Sequence, residues 1–150
     1  MRIALFEPDI PQNTGNIFRL GACLGIEVDI IEPTGYIFDD KRFKRSLMDY
    51  IDHIKYKRHL DWESFYEWSK KNNFRLILFT TKSEKKYINY QFQHHDILLF
   101  GRESAGVPQS IHECVDEQLT IPMVKNLRSI NVSSSVAIVV GEACRQLELL

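Results

Sequence analysis

The sequence predicts an α/β domain built on a mainly parallel sheet flanked by helices, and three observations predict it. Short apolar runs alternate with helical patterns from one end of the chain to the other. Two of those runs, 76–80 and 96–100, are nearly continuous, the pattern of strands covered on both faces. The last helical segment carries one long apolar stripe, formed by Val132, Val136, Val139, Val140, Ala143, Cys144 and Leu147. A chain of 150 residues fits one domain over 1–150, long enough to bury a core, with no separate RNA-binding domain or internal repeat.

The elements follow in order. Ile3-Ala4-Leu5-Phe6 reads as a buried strand, stopped by Pro8 and Pro11. Asn13-Thr14-Gly15 offers turn and capping chemistry ahead of a helix through 17–22 that should end near Gly25. Val28-Asp29-Ile30-Ile31 is a second strand, closed by Pro33-Thr34-Gly35, and Asp39 or Asp40 can cap a basic helix running toward Met48. Asp61 is placed to cap the next helix, where Trp62, Phe65 and Tyr66 fall at helical spacing. Beyond the two continuous strands, Pro108 suits the first turn of a short helix reaching toward Cys114. Leu119-Thr120-Ile121 reads as a further strand cut off by Pro122, and Asn131, Ser133 or Ser134 can cap the final helix.

Composition narrows the class. The start is too short and too soon charged for a secretory signal, and no apolar run approaches the length of a membrane span. Cys23, Cys114 and Cys144 are odd in number and far apart, which fits reduced thiols in a cytoplasmic protein. Net charge is only −1, yet Lys41, Arg42, Lys44, Arg45, Lys55, Lys57 and Arg58 crowd into one stripe against Asp49 and Asp52. Such a stripe is either a solvated helix face or a surface for nucleic-acid phosphates.

In a parallel sheet ligands bind beyond the carboxyl ends of the strands, so the loops there carry the chemistry. After Phe6 come Glu7, Asn13 and, six residues on, Arg19, set between Phe18 and Leu20 in an otherwise uncharged helix. Asn13 alone reads most simply as a helix cap. After Phe100 comes Gly101-Arg102-Glu103-Ser104-Ala105-Gly106-Val107-Pro108, whose two glycines signal a sharp turn or a close approach to a ligand. Val107-Pro108 after the second glycine excludes a phosphate-binding P-loop, and no Gly-x-Gly-x-x-Gly run follows a strand. The loop 122–131 is long and polar, and Ser129 and Asn131 sit where they can cap the helix that follows. No Cys or His pair has zinc-site spacing, and no Gly-x-Ser-x-Gly elbow exists. Chemistry here should rest on positioning and a bound cofactor.

Taken together, Asn13-Thr14-Gly15-Asn16-Ile17-Phe18-Arg19, the run from Gly101 to Pro108, and Ile121-Pro122-Met123 through Arg128-Ser129-Ile130-Asn131-Val132-Ser133 resemble the three ordered motifs of the SPOUT methyltransferases. With Glu7-Pro8-Asp9-Ile10-Pro11-Gln12 and Ile31-Glu32-Pro33-Thr34-Gly35, the whole chain is similar to the TrmL-like (YibK-like) subgroup. These enzymes methylate the ribose 2′-hydroxyl of the wobble nucleotide, a cytidine or uridine, in leucine tRNAs. The resemblance implies a C-terminal deep trefoil knot, an obligate homodimer packed through its first and last helices, S-adenosylmethionine as cofactor, tRNA as partner, and neither metal nor membrane. The cofactor pocket it implies is Phe79, Gly101, Ile121 and Ser129, and the positions for chemistry are Asn13, Arg19, Glu103, Ser129 and Asn131. Lys41, Arg42, Lys44, Arg45 and Arg58 would then face tRNA.

The chain departs from the subgroup in two places: Arg102 and Ser104-Ala105 stand where Pro and Thr-Arg are common, and Leu127 replaces a commonly polar residue. Related enzymes are described as using the arginine of the first motif as base. A guanidinium pKa above about 12 makes orientation of the hydroxyl, or of its phosphate, the better role for Arg19. Two other readings are an RNA-binding or assembly module of the same fold without catalysis, and a nucleotide-dependent oxidoreductase. The retained Arg19, Glu103, Ser129 and Asn131 argue against the first, and the missing glycine fingerprint argues against the second.

Overall fold

The computed structural model describes residues 1–39 and 53–149. Among the described residues, six strands form one sheet: β1 (Arg2–Phe6), β2 (Glu27–Ile31), β3 (Tyr56–His59), β4 (Arg75–Phe79), β5 (Asp96–Phe100) and β6 (Glu117–Leu119). Their spatial order is β3-β2-β1-β5-β4-β6, and every neighbouring pair is parallel. Four α-helices accompany them among the described residues, α1 (Pro11–Leu24), α2 (Trp62–Lys71), α3 (Gln109–Cys114) and α4 (Val132–Leu147). The three cysteines are free thiols, and no described helix is long and apolar enough to cross a membrane.

The continuous apolar strands serve two cores at once, because successive side chains point to opposite faces of the sheet. Ile3 and Leu5 of β1, Leu98 and Phe100 of β5, and Ile77 of β4 pack with Ile17 and Phe18 of α1 and with Val136, Val139, Val140 and Ala143 of α4. Their alternates, Ala4, Phe6, Leu76, Leu78, Ile97 and Leu99, pack with Phe65 of α2 and Ile111 of α3. The layers are therefore helices, sheet, helices. Asp61 caps α2, accepting from the Ser64 N–H at 2.8 Å, and Asn131 caps α4, accepting from the Ser134 N–H at 3.2 Å.

Three expectations need correction. First, α1 begins at Pro11, so Asn13 lies inside the helix and does not cap it; the proline, which lacks an N–H, takes the opening turn. Gly25 does end the helix, with φ 67°. Second, the end of the basic stripe is strand, not helix: β3 is a sheet edge pairing only with β2 among the described residues. Lys57 lies over the Trp68 ring at 4.3 Å, while Arg58 turns to the other face, where it pairs with Glu32 and lies 4.8 Å from the Phe38 ring. Arg58 is thus held by its own chain. The helix read from Asp39 or Asp40 toward Met48, with Lys41, Arg42, Lys44 and Arg45, falls outside the described residues. Third, the stripe from Val132 to Leu147, which the resemblance would give to the seam of a dimer, packs into the chain's own core.

Under α2 the sheet carries charge. Asp29 is fully buried and receives Arg2 Nε at 2.7 Å, with His59 Nε2 also 2.7 Å away. Pairing of this kind is what permits a buried carboxylate in a strand among Val28, Ile30 and Ile31. Leu98, fully buried in β5, is the measure of the larger core. Leu98→Ala is expected to lower the unfolding free energy by about 2–5 kcal/mol, read by denaturant titration with an unchanged slope.

Candidate active site

Because all six strands run one way, their carboxyl ends share one edge of the sheet. There the loops after β1, β4, β5 and β6 and the start of α4 enclose a cleft of about 560 Å³, within the range of small-molecule sites. Its walls come from residues 78–82, 100–107, 120, 121, 123, 129–132 and 135, with Ile10, Asn13 and His112. Phe79 and Phe100 end their strands side by side, stacked at 5.0 Å and 12°. The loop after β5 doubles back on itself. The Arg102 N–H donates to the Gly106 carbonyl at 3.2 Å, and the Gly106 N–H returns the bond to Arg102 at 2.9 Å. A Cβ on Gly101 would stand 2.6 Å from the Gly106 carbonyl carbon, and Gly106 itself has φ 68°. Both glycines therefore serve the turn.

A polar clasp joins this loop to the one after β1. The Asp9 N–H donates to Glu103 Oε2 at 3.0 Å, and the Glu103 N–H donates to Asp9 Oδ1 at 3.1 Å. The Ser104 hydroxyl donates to the other Asp9 oxygen. Asn13 extends the clasp into α1, its Nδ2 donating to Glu103 Oε1 at 2.9 Å. Asn131 Nδ2 in turn donates to Asn13 Oδ1 at 3.0 Å, while Asn131 Oδ1 accepts from Ser134. Three segments separated by 90 and 118 positions thus meet through one amide. Arg102 lies alongside, 3.2 Å from Glu7, with its Nε buried and without a hydrogen bond.

Of the residues picked out from sequence, Asn13, Phe79, Gly101, Glu103, Ile121, Ser129 and Asn131 line the one cleft. Ser129 is exposed there, and Asn131 alone of the two caps α4. Arg19 is exposed on α1 and is not among the lining residues. Six residues at about 100° each turn it roughly 120° away from Asn13 around the helix. Asp9, Arg102, Ser104 and His112 were not singled out for these contacts. A carboxylate three residues past a strand and between two prolines was the available sign for Asp9. Among the described residues, no group of His, Cys, Asp and Glu could hold a metal ion.

Contact with Glu103, helped by the Ser104 hydroxyl and the backbone N–H groups, holds the Asp9 carboxyl down to about 2 against the effect of burial. A carboxyl depressed in the folded state stabilises the protein above its ordinary range and loses that contribution as pH falls toward the folded value. The stability difference between the wild type and Asp9→Asn should therefore be larger at about pH 6 than at about pH 2.5. Denaturant titration at both values checks this, and an equal difference counts against the clasp.

The family model for SpoU rRNA methylases matches residues 1–141 of this chain. A relative from Beijerinckia indica, named tRNA (cytidine(34)-2'-O)-methyltransferase, is 45% identical, with 99% of this chain and 92% of the relative covered. A solved structure concerned with 2-OH methylation of C/U34 on tRNA superposes with a TM-score of 0.90 at 33% identity, covering 98% of this chain and 95% of that one. The fold is shared as well with the SpoU methyltransferase AviRb of Streptomyces viridochromogenes, solved with its cofactor AdoMet. That match has a TM-score of 0.86 at 20% identity, over 98% of this chain and 57% of AviRb.

Proposed function

This chain belongs to the SpoU rRNA methylase family, and from that premise we propose that it methylates the ribose 2′-hydroxyl of the wobble cytidine or uridine of tRNA from S-adenosylmethionine. The observation that carries this reading is the convergence of Asn13, Glu103 and Asn131 on the wall of one cleft. Stacked Phe79 and Phe100, with Ile121, give that cleft an apolar side for a base, and the loop 101–106 gives it polar backbone. When bound, S-adenosylmethionine supplies a methyl group already activated by its sulfonium. What remains for the protein is alignment, worth about 7 kcal/mol or more in favourable cases, and removal of one proton.

Phe79, Gly101, Ile121 and Ser129 hold the donor, largely through backbone groups at the turns. Asn13, Glu103 and Asn131 fix the wall against which the ribose is presented. Arg19 orients the hydroxyl or its neighbouring phosphate and does not act as base. Its place outside its own cleft is one support for a homodimer packed through α1 and α4. On α4 the exposed face is Ser134, Ala137, Ile138 and Gly141, and on α1 it is Asn16, Arg19 and Cys23. Small residues of this kind let helices approach closely. The same single domain takes the RNA, with Lys41, Arg42, Lys44 and Arg45 toward its phosphates. Leucine tRNAs in the cytoplasm are the substrate, and the segment from β6 to α4 forms the deep trefoil knot of the fold.

Mass spectrometry of total tRNA treated with the protein and S-adenosylmethionine is expected to show new 2′-O-methylation at the wobble nucleotide, and no gain would overturn the reading. Arg19→Ala should lower kcat by about 10²-fold or more. Arg19→Lys should keep most of the turnover with an unchanged pH profile, whereas a shifted profile would restore a base role. Charge reversal at Lys41, Arg42, Lys44 and Arg45 should weaken tRNA binding and spare the donor, while equal loss of both would make the stripe structural.

A further inference from the structure

His112 is the only histidine among the residues lining the cleft, and with 7% exposure it is one of the few buried polar side chains of the fold. It sits on α3, six residues before Gln118 of β6, and the two side chains are locked together. Gln118 Nε2 donates to the His112 carbonyl at 2.8 Å, which leaves Gln118 Oε1, 2.9 Å from the ring Nδ1, able only to accept. Nδ1 therefore carries the imidazole proton. Nε2 is left with a lone pair, and no described residue donates to it. The buried side-chain atoms without a partner are Tyr90 Oη and Arg102 Nε; His112 Nε2 is not one of them, so its lone pair is open to whatever fills the cleft.

The surroundings say which partner. Leu78, Val107 and Ile121 line the cleft with it, a setting for the flat face of a heterocycle and a poor one for a polyhydroxyl ribose. A purine attached through its ring nitrogen to ribose has one strong donor if it is adenine, the exocyclic 6-amino group, and an acceptor at that place if it is hypoxanthine. We propose that His112 Nε2 accepts a hydrogen bond from the 6-amino group of the donor's adenine. His112 then selects adenine, and Gln118 is the positioning residue that sets its tautomer. This inference rests on the S-adenosylmethionine reading above.

Titration calorimetry with S-adenosylhomocysteine and with its hypoxanthine analogue tests it. The wild type is expected to bind the adenine form at least about tenfold more tightly, since a site built around an amine leaves polar groups opposed when the amine is lost. In His112→Leu or His112→Phe, whichever keeps the wild-type melting profile, that ratio should shrink at least about fivefold. Equal affinities in the wild type, or a ratio unchanged in a folded variant, would overturn the role of His112 and leave the methyltransferase reading standing. Failure of the wild type to bind S-adenosylhomocysteine at all would overturn both.

Discussion

The reciprocal bond between Asp9 and Glu103 is the constraint on which the site depends. β1 and β5 are neighbours at the centre of the sheet, and their exits lead to different layers of the molecule. Each exit donates its backbone N–H to the carboxylate of the other, so neither loop is satisfied alone. Charged acceptors make such bonds roughly twice as strong as neutral ones. Asn13 then borrows the remaining Glu103 oxygen, which is why a polar side chain at 4% exposure is tolerated inside α1.

Around that clasp the scaffold is stiff for ordinary reasons. Strands with apolar residues on both faces anchor a helical layer on each side, and the loops they carry inherit that rigidity. The loop after β5 adds its own closure through Arg102 and Gly106. On the neighbouring side, the Tyr36 hydroxyl donates to Thr14 at 2.7 Å and ties the loop after β2 to α1. Four of the charges near the cleft, Glu7, Asp9, Arg102 and Glu103, engage one another, and Lys82 stands exposed on its wall.

Much of the fold was legible because it obeys simple periodicities. Ile97-Leu98-Leu99-Phe100 could only be a strand buried on both faces, and the seven-residue stripe of α4 could only be a buried helix face. β3 was not legible, since Tyr56-Lys57-Arg58-His59 owes its strand to pairing with β2, and its charges are absorbed by Glu32, Asp29 and Trp68. Propensity cannot report such tertiary pairings. The motifs marked the lining residues, but not how they bond. A cap was the sensible reading of Asn13 until Pro11 was seen to open the helix, and nothing local announces that Glu103 and Asn131 lie within reach of it.

The Asn13 amide has one end that must give a proton and one that must take one, and the wall of the cleft is written in that polarity. An aspartate there would face Glu103 as a second anion, and an alanine would strand both neighbours. Exchange at any one of the three positions therefore leaves a donor or acceptor unmatched at another. Positions 90 and 118 residues apart along the chain are in this way tied to one pattern of donors and acceptors.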